Sequence, residues 1–363
     1  MINRLRFPLL AVSLLLLITA IWAGELRLGW RWPVLISALP ISHGPLMVSG
    51  FLGTLIGLER AVALQVRWAY LGPLATALGG ILLLINIGNN LGALLMLAGS
   101  FILIIDFVYI LRRHLAAYTV TMALGALVWF LGNLLWVTGR PIYQIVLWWA
   151  GFMILTIAGE RLELGRLLSH PRIVQRIFTF IIAVFLAGLV IMLGMPETGM
   201  PITGVAMIAL AIWLFVFDIA RRTVRKPGLP RYTAICLLLG YFWLGVSGIL
   251  ILGFGQQVAG MLYDAYLHAI FLGFVFSMLF AHAPIIFPAV LGYPVVFNPG
   301  FYVFLITLQV SLLLRVGADL MGNWQLRLWA GMLNGVALVL FIIMMMVMVL
   351  GGLIRERRSA AKA

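Results

Sequence analysis

The chain is almost without the residues that face water. Charged residues make up 9% of its 363 positions, only 10 are acidic, and 64% are hydrophobic. A soluble domain carries about a quarter of its residues as charges, so that class is excluded. Cysteine is nearly absent too: Cys236 stands alone in an apolar run. One thiol excludes an intrachain disulfide, a four-cysteine metal centre, a cysteine-ligated iron–sulfur cluster and a CxxCH haem attachment. Nor is there a hydrolase or kinase signature. The short glycine-containing stretches lie in apolar runs rather than between strand and helix, which makes them packing features and not phosphate loops.

Long apolar runs are what remains, and a helix that crosses a bilayer needs about 20 such residues. Twelve are present, over 7–23, 36–58, 68–88, 91–111, 117–138, 142–160, 174–194, 202–220, 232–254, 261–284, 297–316 and 328–353. The reading is an all-α polytopic membrane protein filling 1–363 as one membrane domain, its surface given to the lipid bilayer. The first run, after Arg4 and Arg6, fits the first helix of an even-numbered bundle or a signal peptide, and the former is preferred. The net charge of +14 is no nucleic-acid footprint. With a cytoplasmic N-terminus, every lysine and arginine except Arg27, Arg31, Arg140, Arg315 and Arg327 falls on the cytoplasmic side. That bias predicts a bacterial or archaeal inner membrane protein with both termini cytoplasmic.

One design recurs. Gly50-Phe51 leads through Ile56 to Glu59-Arg60, and Gly151-Phe152 leads through Ile157 to Glu160-Arg161. In the tenth run, Gly273-Phe274 leads to His282 at the place of the two glutamates. These are helices 2, 6 and 10. Helices 4 and 8 share a second mark, Asp106 before Arg112-Arg113 and Asp218 before Arg221-Arg222. The pattern predicts three pseudo-repeated four-helix arcs, about 1–115, 116–226 and 227–363.

Ionisable residues inside such helices are costly and point to function. His43 and His268 each lie about seven residues in from the outer end of helices 2 and 10, roughly 10 Å deep at 1.5 Å per residue. Equal depth suits a pair of axial haem ligands. Another metal, or a hydrogen-bonded structural pair, is the alternative. Relative to their Gly-Phe pairs the two histidines sit on faces roughly 160° apart, at about 100° per α-helical residue. They would then meet sideways across one gap between units. Asp264, one turn before His268, is placed to accept a ring N–H. Arg315, at the outer end of helix 11, is placed to meet haem propionates. His282 lies nearly four turns beyond His268, about 21 Å further in, near Glu59 and Glu160. That trio reads as a metal site, a proton relay or, with Arg60 and Arg161 adjacent, ion pairs that fix the bundle. Ala283-Pro284 and Phe287-Pro288 predict a broken end to helix 10. Asn133, Gln309 and Asn334 read equally as helix–helix glue or as substrate contacts, and His114 and His170 as loop residues.

The segments Ser42-His43-Gly44-Pro45-Leu46-Met47-Val48-Ser49-Gly50-Phe51 and Leu267-His268-Ala269-Ile270-Phe271-Leu272-Gly273 resemble the NnrS family, twelve-helix bacterial membrane proteins associated with haem, copper and the response to nitric oxide. The chain also looks distantly like the catalytic subunit of haem–copper oxidases. Those carry a histidine on helix 6 and a His-His pair on helix 7, where this chain has Glu160 and no histidine. The resemblance implies one haem b at His43 and His268, or copper or iron, a diatomic gas or electron donor as partner, and nitric oxide or respiratory redox handling. Whether that role is enzymatic stays open. A proton-coupled secondary transporter and an assembly subunit of a respiratory complex are the competing readings.

Overall fold

In the computed structural model, residues 3–85, 90–168, 170–291 and 297–360 are described. They hold twelve helices long and apolar enough to cross a membrane, and no strand among the described residues. In chain order these are α1 (Leu5–Leu28), α2 (Pro40–Leu64), α3 (Trp68–Ile85), α4 (Leu91–Arg113), α5 (Ala117–Val137) and α6 (Ile142–Gly165). The second half holds α7 (Arg172–Met192), α8 (Pro196–Phe217), α9 (Leu229–Phe254), α10 (Met261–Pro288), α11 (Phe301–Met321) and α12 (Trp324–Met348). Lys362, counted above among the cytoplasmic charges, lies outside the described residues.

Several helices outrun their apolar segments. α2 and α6 carry on for about a turn past Glu59-Arg60 and Glu160-Arg161. Hydropathy stops at the first charge, but backbone hydrogen bonding does not, so the charged pairs lie on the helices themselves. α11 likewise runs six residues past Arg315. The helix carrying His282 also departs from expectation. It is not broken at Pro284 and Pro288; helical backbone runs from Ser277 to Leu291 with both prolines inside. A proline removes one backbone donor and bends a helix, which the neighbouring turns here absorb.

The irregularity sits elsewhere. α2 contains a π-helical stretch at Leu46–Leu52 and α10 one at Ala269–Phe276. Each begins just after the histidine of its helix, and each contains the Gly-Phe pair. The equivalent Gly151-Phe152 of α6, which has no such histidine, is ordinary α-helix. π segments store one extra residue per turn and concentrate at functional sites.

Packing is mainly between consecutive helices, with α2, α6 and α10 in the middle. These three are the most enclosed: 67%, 83% and 72% of their apolar windows are buried, against 33–56% for the others. α1 and α4 pack on α2, α7 and α8 on α6, and α9, α11 and α12 on α10; α10 also touches α2 and α6. Close approach explains a motif glycine on α10, where a Cβ at Gly273 would stand 2.4 Å from Cγ of Trp243. Polar ties then fix the register. Asn133 Oδ1 accepts from Ser49 Oγ at 3.2 Å and Trp149 Nε1 at 3.0 Å, while its Nδ2 donates to Ser100 Oγ at 3.1 Å. One amide thus joins α2, α4, α5 and α6. Gln309 does the same for α9, α10 and α11, accepting from Trp243 Nε1 at 2.7 Å and donating to Ser277 Oγ at 3.0 Å. Of the two readings open for these amides, both make the interhelical bonds of the first.

Candidate functional site

Two polar sites occupy opposite ends of the α2–α10 seam. The first lies at the end of the bundle far from the chain termini. His43 and His268 face each other there, ring centroids 6.5 Å apart and planes 25° apart. Each ring is fixed through Nδ1. His43 Nδ1 donates to the Ala20 carbonyl of α1 at 2.8 Å. His268 Nδ1 donates to the Asp264 carbonyl at 3.0 Å and lies 3.2 Å from Asp264 Oδ1. A carbonyl has no proton to give, so Nδ1 carries the hydrogen in both rings and each Nε2 keeps a free lone pair. α1 comes in close enough to seat the first ring because residue 24 is glycine; a Cβ there would stand 2.9 Å from His43 Cε1.

Behind His268 is a buried ion network. Asp264 accepts from Arg315 twice, at 2.8 Å from Nε and 3.0 Å from Nη2. Its Oδ1 also lies 3.3 Å from Arg327 Nη2. Arg327 Nε stands 2.8 Å from Asp319 Oδ1, and Arg315 Nη1 donates to Asn334 Oδ1 at 3.3 Å. Arg315, Asp319 and Arg327 are all buried. Arg315 is therefore held by Asp264 rather than standing free for a propionate. Sequence reading missed Arg327, Asp319 and the buried Glu25 of α1. All three sit near the ends of apolar runs, where charge reads as loop. A carboxylate four residues before a histidine was the one signal that gave part of the network.

The second site lies at the end bearing the termini. Arg60 of α2 forms a close ion pair with Glu160 of α6, and its Nη2 is 4.0 Å from Glu59 Oε1. Arg161 of α6 donates from Nη2 to His282 Nε2 of α10 at 3.0 Å. Guanidinium cannot accept, so His282 is the acceptor; its Nδ1 donates to the Met278 carbonyl at 2.7 Å. Glu59, Glu160 and His282 are thus gathered in one cluster, but arginines run between them. Among the described residues no group of three or more His, Cys, Asp or Glu is placed to hold a metal ion. Asp218, just past α8, is capped by the Ala220 N–H at 2.7 Å. Burial pushes its carboxyl up, against the pull of Arg161.

His114 bonds Tyr118, and His170 Nε2 meets the Phe217 carbonyl at 2.9 Å, both away from these sites.

Residues 6–350 match the family described as Domain of unknown function (DUF8744). The chain belongs to that family. No curated protein matches it. The DUF8744 match takes in both ends of the seam, so the histidine pair and the arginine-threaded cluster lie within the family's domain. In this DUF8744 chain the two sites share helices: α2 contributes His43 and Glu59-Arg60, and α10 contributes His268 and His282.

Proposed function

We propose that the protein is a twelve-helix inner-membrane protein of the NnrS kind, holding one haem b between His43 and His268 and serving nitric oxide or respiratory redox handling. The observation that carries this reading is the histidine pair: two facing imidazoles, each pinned through Nδ1 and each with an Nε2 that makes no hydrogen bond among the described residues. Metal-ligating histidines are held in this way, with the second nitrogen donating to a carbonyl or carboxylate. With metal–nitrogen bonds of about 2 Å on either side, two imidazoles sharing one metal have ring centres roughly 6 Å apart. The observed 6.5 Å fits. Haem would supply reversible one-electron chemistry and affinity for diatomic gases. The chain's part is to fix the ring tautomers and, through Asp264, Arg315 and Arg327, to keep a compensated carboxylate beside His268. Copper or iron on the same imidazoles is the alternative cofactor.

Three features favour the pseudo-repeated arcs. α2, α6 and α10 are the enclosed helices, each packs on other helices of its own arc, and their Glu, Glu and His meet in one cluster. Helix length and apolarity favour insertion in the bilayer. The distribution of basic residues favours termini in the cytoplasm.

An oxidised-minus-reduced absorption spectrum of the detergent-purified protein, with metal analysis of the same sample, tests the reading. About one haem per chain is expected. Folded protein expressed with ample haem, yet colourless and metal-free, would overturn it in favour of transport or assembly. Gly24→Ala offers a check that leaves both ligands in place. Its methyl group would displace the His43 ring, so the haem band is expected to weaken or shift. Gly253→Ala, with nothing within 4 Å of its Cβ, is expected to leave the band unchanged.

A further inference from the structure

The charged cluster at the terminal end has a direction. Numbered from the Gly-Phe pairs, the polar slot is Glu59, Glu160 and His282, and the next position is Arg60, Arg161 and Ala283. Each arginine bonds the polar slot of the following unit. Arg60 of the first unit holds Glu160 of the second. Arg161 of the second holds His282 of the third. Closing the ring would take a cation at position 283 reaching back to Glu59, and α10 does pack on the end of α2 that carries it. Position 283 is alanine and fully buried. The ring has two of its three bonds.

The open link falls where positive charge is short. Arg60 is the partner of Glu160 and the only ion-pair contact of Glu59 among the described residues, at 4.0 Å. Its guanidinium also lies 5.8 Å over the Phe107 ring, beside Asp106 of α4. Asp106 is 1% exposed, and among the described residues neither of its carboxylate oxygens has a hydrogen-bond partner. Two carboxylates thus share one guanidinium, and a third, that of Asp106 on the neighbouring helix, has no partner among the described residues. Uncompensated charge of this kind is expensive away from water. The side chain of Glu59 is 31% exposed, so the site is open to exchange.

We propose that Glu59 is the site of one exchangeable monovalent cation, a proton or an alkali-metal ion, which supplies the positive charge that Ala283 does not. The site is distinct from the histidine pair and does not depend on a cofactor there. The repeat enters only in numbering equivalent positions. The groups on the elements around Glu59 include Arg60 on its own helix, Arg6 of α1, Tyr70 of α3, Asp106 of α4, Glu160, Arg161 and Glu163 of α6, and His282 of α10.

Thermal unfolding of the full-length purified protein provides the test. Na+ is exchanged for N-methylglucamine at fixed pH and ionic strength, and pH is varied separately at fixed Na+. A site for an alkali ion raises Tm with Na+. A site for a proton raises Tm as pH falls, because the bound proton stabilises the folded state and is lost as pH rises. Glu59→Gln keeps the shape and removes the charge. Ala283→Arg supplies the third guanidinium. Each is expected to abolish whichever dependence the parent protein shows, and either variant alone decides the matter if the other does not accumulate. A parent protein indifferent to both Na+ and pH, or a Glu59→Gln variant with the parent's full response, would overturn the proposal. Neither result bears on the haem spectrum.

Discussion

His43→Ala and His268→Ala are each expected to remove the haem spectrum of the purified protein entirely, while His114→Ala leaves it intact. The symmetry of the site sets the expectation. Each imidazole supplies one Nε2, and among the described residues no group of three or more His, Cys, Asp or Glu is placed to hold a metal ion without them. Loss of one ring would leave a single imidazole to hold the proposed haem. The ring hydrogen bonds add a graded version. The Ala20 carbonyl that orients His43 is backbone and cannot be deleted, whereas the carboxylate near His268 can. If the pair only held helices together, both alanine variants would lower stability by about 1–2 kcal/mol, the worth of a hydrogen bond between helices, and the parent protein would have no spectrum to lose. Absorption and thermal unfolding on the same samples separate the outcomes.

The largest stability effect is expected at Asp264. Exposed ion pairs are worth about 0–1 kcal/mol, but breaking a buried one costs about 3–5 kcal/mol because its partner is left charged and unpaired. Asp264 serves two buried guanidiniums, those of Arg315 and Arg327. Asp264→Asn therefore leaves Arg327 with Asp319 but Arg315 with no ion-pair partner among the described residues, only the Asn334 amide, and a loss at or above that range is expected in equilibrium unfolding. The double variant Asp264→Asn with Arg315→Gln should lose less than the sum of the two single changes, since the residues act as one unit. Additive losses would mean that the network is not coupled as its distances imply. Because Asp264 also meets His268 Nδ1, the same change should weaken haem retention without removing a ligand.

How much of this was legible follows from what sequence periodicity records. Apolar runs of bilayer length gave the helices and their order, since hydropathy and helix length answer to the same constraint. The equal depth of His43 and His268 was legible for the same reason, because depth is residue number times rise. Their meeting across one gap was expected and is seen, but the angle of roughly 160° behind that expectation rests on regular winding. Counting about 100° per residue assumes α-helix throughout, and both helices pass through π-helical stretches between histidine and Gly-Phe. That Arg315 pairs with Asp264, and that Arg327 and Asp319 join them, was hidden because residues near the end of an apolar run look solvated until a neighbouring helix covers them. The repeat put Arg161 and His282 at one level, but which arginine bonds which slot was hidden, because the members lie on different helices.

The π-helical stretches also tie the two ends of the seam to each other. In α2 and in α10 such a stretch separates the histidine pair from the charged cluster. Each holds a residue more than the α-helix would need. Winding the same residues as unbroken α-helix would leave both ends helical and apolar but turn one end against the other by about 100°, so that a helix packed correctly at its ring of charges would present the wrong face at its imidazole. The extra residue is thus a phase setting, through which one pair of helices serves two sites at once.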